Sequence, residues 1–133
     1  MNKETNKADA GPSYSRDHIW VLESGANFTL GISDYAQAQL GEIIYVELPE
    51  IGDEFEQGEA FGVVESAKSV SELYMPMAGR VVGVNESVTD APELLNQDAL
   101  GRGWLMEITP IDANDRTELQ ALLTALEYQD LTA

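Results

Sequence analysis

The chain of 133 residues is long enough for one domain with a modest hydrophobic core. It has no cysteine and a single histidine, which excludes disulfides, thiolate nucleophiles, cysteine-bound clusters and multi-histidine metal sites in the polypeptide itself. Its 24 acidic and 7 basic residues give a formal charge of -17, which opposes binding to nucleic-acid phosphates or anionic lipid.

The acidity has two compatible interpretations. It can be a solvated surface that keeps the protein soluble and monomeric, or it can steer the protein towards partner proteins with basic docking faces. Residues 1–12 are polar and lack the apolar centre of a signal peptide, and no later run is long enough to span a bilayer. We therefore expect a soluble cytoplasmic monomer with no membrane or nucleic-acid partner and no bound metal.

In chain order, a polar tail is predicted over residues 1–13 and one domain over residues 14–133. The hydrophobic period within the domain is mostly two, and Gly, Pro, Asp or Asn residues bound each run. The predicted strands are 18–22, 27–32, 42–48, 59–66, 69–75, 79–85 and 104–109. Many short strands at such spacing predict an all-β sandwich or flattened barrel.

Helical signals are few. Ser33 and Asp34 can cap a short helix that ends at Gly41, and Pro92 can open a one-turn helix over Leu94 and Leu95.

The clearest helical pattern is the C-terminal one, which starts at Asn114-Asp115. Four leucines then follow the i, i+3, i+4, i+7 spacing of one helix face. They are Leu119, Leu122, Leu123 and Leu126. We expect this amphipathic helix to pack on the barrel as a structural lid.

Lys68 is the only lysine after residue 7. The alternation of apolar and polar residues runs up to Ser66 and resumes at Val70, which places Lys68 at the tip of a hairpin. Its neighbours Ala67 and Ser69 are small and leave the amine open to a modifying enzyme. Because no second cation or apolar pocket lies within sequence reach, a Schiff-base catalyst is disfavoured. Two interpretations remain: a covalent attachment point for a swinging group carrier, and an ordinary exposed lysine.

The segment 61–74, which contains Lys68, resembles the lipoylation motif of the glycine cleavage system H-protein family. Similar order and spacing continue through residues 31–41, 46–53, 79–86 and 103–105. Such a long collinear match is specific. The resemblance implies a barrel-sandwich hybrid fold of the lipoyl and biotinyl carrier type, with lipoate covalently attached to Lys68. Biotin is the neighbouring alternative, but biotin carriers flank their lysine with methionines.

The resemblance also implies a non-catalytic carrier with four partner enzymes. A glycine decarboxylase (P protein) would load an aminomethyl group, and a tetrahydrofolate-dependent aminomethyltransferase (T protein) would remove it. A dihydrolipoyl dehydrogenase (L protein) would accept the electrons, and a lipoyl-attaching enzyme would modify Lys68. The redox chemistry then belongs to the lipoyl dithiol, which is compatible with a chain that has no cysteine.

Two acids of the motif have implied roles in binding the cofactor. The resemblance implies that Glu65 helps the lipoyl-attaching enzyme to recognise the site, and that Glu72 lies near the amine of the loaded arm. For each, the alternative is a solvated carboxylate at a strand end.

One position departs from the family pattern. The family has an acid between the histidine and the tryptophan, where this chain has Ile19 between His18 and Trp20, and that acid is associated with the amine of the loaded arm. Three nearby acids could compensate: Asp17, Glu23 and Glu72. If none of them does, the protein is an H-like lipoyl donor, relay or adaptor outside glycine cleavage.

A carboxylate-based enzyme is a third hypothesis, but the sequence places no nucleophile. For His18 we expect a packing or surface role.

Overall fold

The computed structural model describes residues 11–112 and 115–133. Within these residues, antiparallel strands form a six-stranded sheet and a three-stranded sheet. The strands are β1 (Ser13–Tyr14), β2 (Ile19–Ser24), β3 (Asn27–Ile32), β4 (Ile43–Glu47), β5 (Glu54–Phe55), β6 (Ala60–Ser66), β7 (Val70–Tyr74), β8 (Gly79–Val84) and β9 (Met106–Thr109). Their order is β1-β2-β3-β9-β8-β5 in the large sheet and β4-β6-β7 in the small one.

One hydrophobic core joins the two sheets. Val46, Val64 and Leu73 enter it from the small sheet, while Phe28 and Ile108 enter it from the large one. Alternation along most strands places these side chains inside, while their neighbours, which include a few apolar side chains, face outward. The predicted flattened barrel is therefore confirmed.

Each of the seven predicted strands overlaps an observed strand, although the prediction 18–22 ends two residues before β2 does. The sequence did not reveal β1 and β5, because a strand of two residues has no alternation to detect. Residues 1–10 of the predicted polar tail lie outside the described residues, and Ser13 already belongs to β1.

The helices are short. They are α1 (Asp34–Leu40), α2 (Glu86–Asp90), α3 (Leu94–Gln97), α4 (Asp115–Gln120) and α5 (Ala125–Thr132). The predicted cap of α1 is confirmed, because the Ser33 hydroxyl accepts a hydrogen bond from the Ala36 N–H at 3.0 Å and Gly41 follows the last turn at φ 82°. The predicted helical turn after Pro92 is present as α3.

The single C-terminal helix predicted from the leucine spacing is wrong in one respect: the structure has two helices, α4 and α5. Leu123 leaves the helical path and forms a β-bridge with Tyr14, with both backbone hydrogen bonds at 2.8 Å. Thr124 and Glu127 then form a capping box that starts α5. Leu126 is consequently 70% exposed. The predicted start at Asn114 lies outside the described residues.

A second, smaller cluster attaches α5 to the barrel. It consists of buried Tyr14, Trp20 and Tyr128, with Trp104 and Leu123 packed against them. Among the described residues, no helix is long and apolar enough to cross a membrane.

Gly62 marks the closest approach of β6 to β4. A Cβ atom added there would lie 2.5 Å from the carbonyl oxygen of Glu47, so one of the two backbones would have to shift. We expect Gly62→Ala to lower the free energy of unfolding by about 1–3 kcal/mol, the typical cost of overpacking. Gly83→Ala is the matched control, because its Cβ would lie 3.7 Å from Glu107, an ordinary contact. Urea unfolding measures both variants, and equal free energies of unfolding would contradict the prediction.

Candidate functional site

The tip of the β6–β7 hairpin is shaped by the hydroxyl of Ser66. This buried oxygen accepts hydrogen bonds from the backbone N–H groups of Lys68 and Ser69, each at 3.2 Å. The Ser66 N–H also donates to the Ser69 carbonyl at 2.8 Å. Three residues, Ala67 to Ser69, therefore connect the strands, and Lys68 is exposed at the turn as predicted.

The side chain of Lys68 lies along the C-terminal end of α1. Its Nζ donates to the carbonyl oxygen of Gln39 at 3.1 Å. Carbonyls at the end of a helix lack intrahelical partners and bear partial negative charge, which suits an ammonium group. A Cβ atom at Gly41 would lie 3.5 Å from the Lys68 Cε. This distance is an ordinary contact, so glycine is favoured at this position by the positive φ that ends the helix and not by the space that the lysine needs.

Gln39 also borders a cleft of about 300 Å³ between α1, β7 and the turn before β2. Part of its lining is apolar and comes from Ile32, Leu40 and Leu73. Two exposed acids, Asp17 and Glu72, belong to the same cleft. The Lys68 amine therefore lies at the edge of a small cleft that combines an apolar surface with negative charge.

Both acids act on Tyr74. The Tyr74 hydroxyl donates to Glu72 Oε1 at 3.2 Å. This hydrogen bond raises the pKa of Tyr74, and the negative charges of Glu72 and Asp17 raise it further. The raised pKa extends the pH range over which Tyr74 is protonated and can donate to Glu72.

Glu65 lies on the outer face of the small sheet. Its direct neighbours across the strands are Tyr45 on β4 and Val70 on β7. Both are exposed, at 45% and 66%, whereas Glu65 itself is half-buried. Glu65 is thus a carboxylate between two exposed apolar side chains, three residues from Lys68.

Ile19 is fully buried in the main core, where it pairs with Ile32. Of the three acids considered as substitutes, Asp17 and Glu72 are brought together at the cleft. Glu23 is not, because it forms an ion pair with Arg116 at 3.5 Å instead.

Sequence patterns did not indicate that Tyr35, Gln39 and Leu40 contribute to this cleft. They lie on α1, more than 25 residues before Lys68. The only local sequence signal for these three residues was the Ser33 cap. This cap predicted helix α1, but it did not predict the cleft that the helix borders.

A flattened two-sheet barrel with an exposed lysine at a hairpin tip is the architecture of the lipoyl and biotinyl carrier class. Within the described residues, no cluster of His, Asp or Glu could hold a metal ion.

Comparison with known proteins identifies the family within this class. The family model for the glycine cleavage H-protein matches residues 12–133. The glycine cleavage system H protein of Anaeromyxobacter sp. (strain K) is 47% identical over 116 residues, covering 87% of this chain and 88% of that protein. That of Bacillus licheniformis is 47% identical over 118 residues, covering 89% and 91%.

A solved structure agrees with this match. The crystal structure of a glycine cleavage system H protein from Mycobacterium marinum superimposes with a TM-score of 0.81 at 36% identity, covering 92% of this chain and 96% of that one. The chain therefore belongs to the glycine cleavage H-protein family. Members of this family carry lipoate, and an H protein is a carrier component of the glycine cleavage system, not a catalyst.

Proposed function

We propose that this chain is the lipoylated carrier of a glycine cleavage system, with lipoate in amide linkage to Lys68. It would take an aminomethyl group from the glycine decarboxylase to the aminomethyltransferase, and electrons to dihydrolipoyl dehydrogenase. The observation that supports this best is the placement of Lys68 at an exposed hairpin tip, with its amine at the edge of the cleft.

The surroundings of Lys68 suit an attachment site. The amine donates to the Gln39 carbonyl in an exposed contact, and releasing one hydrogen bond of a charged group costs at most about 1.5–3 kcal/mol. Ala67 and Ser69 are small and exposed, so an attaching enzyme can reach the amine. The Ser66 hydrogen bonds keep the tip rigid while the attached arm moves.

When attached, the lipoyl group supplies a thiol that holds the aminomethyl group and a disulfide that accepts electrons. The residues of this chain act on the cargo at the cleft. Asp17 and Glu72 offer carboxylates to a cationic amine, and Ile32, Leu40 and Leu73 restrict the access of water. Asp17 and Glu72 would thus replace the acid that the family has at the position of Ile19.

The alternative is an H-like lipoyl donor, relay or adaptor outside glycine cleavage. Ile19 favours it, because a fully buried isoleucine cannot accept a hydrogen bond from the amine. The two functions differ in aminomethyl carriage but share the modified lysine.

The first prediction of the proposed function is that lipoate is attached to Lys68. Protein made in cells with active lipoylation should gain one lipoyl-sized mass on the peptide that contains Lys68, and Lys68→Arg should remove it because the arginine side chain cannot form this amide. Intact mass and peptide mapping measure both. A folded wild-type protein that stays unmodified beside a modified control substrate would contradict the attachment site.

The second prediction concerns the cargo. Lipoylated wild-type protein should accept an aminomethyl group from the decarboxylase, and Asp17→Asn with Glu72→Gln should shorten its retention by about 2- to 30-fold. This range corresponds to two exposed charge pairs of about 0.2–1 kcal/mol each. Glu23→Gln is the matched control, since Glu23 pairs with Arg116 away from the cleft. Retention is followed by mass spectrometry.

One outcome of that experiment decides between the functions, and another decides whether the cleft acids hold the amine. If the lipoylated wild-type protein takes up no aminomethyl group but is still reoxidised by the dehydrogenase, the alternative function holds. If retention is equal in all variants, the cleft acids have no role in holding the amine.

The third prediction concerns recognition by the lipoyl-attaching enzyme. Glu65→Ala should slow lipoylation of the folded protein by about tenfold, the effect of losing one hydrogen bond to a charged group of about 1.5 kcal/mol. Glu47→Ala is the control, because Glu47 is an exposed acid on the adjacent strand β4. Modification rates are measured with purified enzyme, and equal rates for the two variants would count against recognition through Glu65.

A further inference from the structure

The hydroxyl of Tyr128 makes two short contacts between α5 and the barrel. It lies 2.6 Å from His18 Nδ1 and 2.7 Å from the Ser33 hydroxyl oxygen. The Tyr128 ring stacks on Tyr14, with centroids 4.3 Å apart and planes at 6°. Because a phenolic hydroxyl is both a donor and an acceptor, it can satisfy His18 and Ser33 together.

The first contact holds the turn before β2 in an unusual conformation. His18 has φ 71°, which is uncommon for a residue other than glycine and persists only when surrounding contacts enforce it. Its N–H donates to the Ser15 carbonyl at 3.1 Å, and its carbonyl accepts from the Ser33 N–H at 2.9 Å. Asp17, one of the two cleft acids, immediately precedes His18 in this turn.

The second contact reaches the opposite wall of the cleft. Ser33 caps α1 through the Ala36 N–H, and α1 supplies Leu40 and Gln39 to the cleft. The Tyr128 hydroxyl therefore connects the turn that contains Asp17 with helix α1. The Gln39 carbonyl of that helix accepts the hydrogen bond of the Lys68 amine. Tyr128 itself lies behind the cleft and does not line it.

We infer that Tyr128 is a positioning residue that fixes the turn containing Asp17 relative to helix α1. These two segments are opposite walls of the cleft, and their relative position allows them to enclose the cargo attached through Lys68. This inference rests on the proposed function, because the cleft matters only if it holds that cargo. Helix α5 would then have the role of placing Tyr128 against His18, because the helix starts at the Thr124 capping box.

The direct test uses the unlipoylated protein and amide hydrogen exchange followed by NMR. Tyr128→Phe retains the ring that stacks on Tyr14 and removes both hydrogen bonds. We expect exchange at the amides of His18, Ser33 and Ala36 to accelerate by about tenfold or more. The amide of Val64 in the barrel should keep its wild-type rate. Tyr14→Phe is the matched control, because it removes a hydroxyl from the same stacked pair that takes no part in either contact.

A second variant separates the two walls. Asparagine tolerates a positive φ, so His18→Asn should preserve the turn but lose the contact with Tyr128. It should accelerate exchange in the turn and leave the Ala36 amide unchanged.

The functional readout is the retention of the cargo on the lipoylated protein. Hydrolysis of the aminomethyl thioether by water yields a free thiol, formaldehyde and ammonium, and it should be several-fold faster in Tyr128→Phe than in wild-type protein or Tyr14→Phe. The rate at which Lys68 is lipoylated should not change.

The outcomes separate the inference from the proposed function. Unchanged exchange in Tyr128→Phe, or faster exchange with unchanged retention, would overturn the positioning role. A wild-type protein that accepts no aminomethyl group would overturn the proposed function instead, while the exchange rates would still show whether Tyr128 holds the two walls together.

Discussion

The hydrogen bonds of the buried Ser66 hydroxyl are the constraint on which the site depends. They close the β6–β7 hairpin within three residues and leave Lys68 exposed at its tip. The strands behind the tip are anchored in the core by Val64 and Leu73. A carrier needs this combination, because a mobile arm delivers its cargo reproducibly only from a fixed base.

The cleft beside the attachment point offers side chains that suit the cargo of the arm. Its acids suit a cationic amine, and its apolar lining limits contact with water. In the proposed function, Asp17 and Glu72 reach the cleft from two other segments and would substitute for the acid that the family has at position 19. Both acids are exposed, so neither incurs the cost of burial that a carboxylate at the fully buried position of Ile19 would incur.

Long-range contacts also explain where sequence patterns failed. The leucine spacing predicted one C-terminal helix, but the β-bridge between Leu123 and Tyr14 and the capping box at Thr124 divide it. This division allows α5 to bring Tyr128 to His18 and Ser33. A pattern of apolar residues records which side chains are to be buried, but it does not record a competing backbone partner more than 100 residues away.

The sequence by itself determined the seven longer strands, the capped helix α1, the exposed lysine at a hairpin tip and the resemblance to the H-protein family. The strands, the helix and the hairpin follow from alternation, capping and turn signals, which are interactions between residues a few positions apart. The resemblance rests on motifs that match the family in order and spacing. Only the tertiary structure decided that Asp17 and Glu72 share a cleft with α1, that Glu23 pairs with Arg116, and that one tyrosine connects the cleft walls. Such contacts join distant segments, and their geometry is set by how the two sheets and α5 pack around the core.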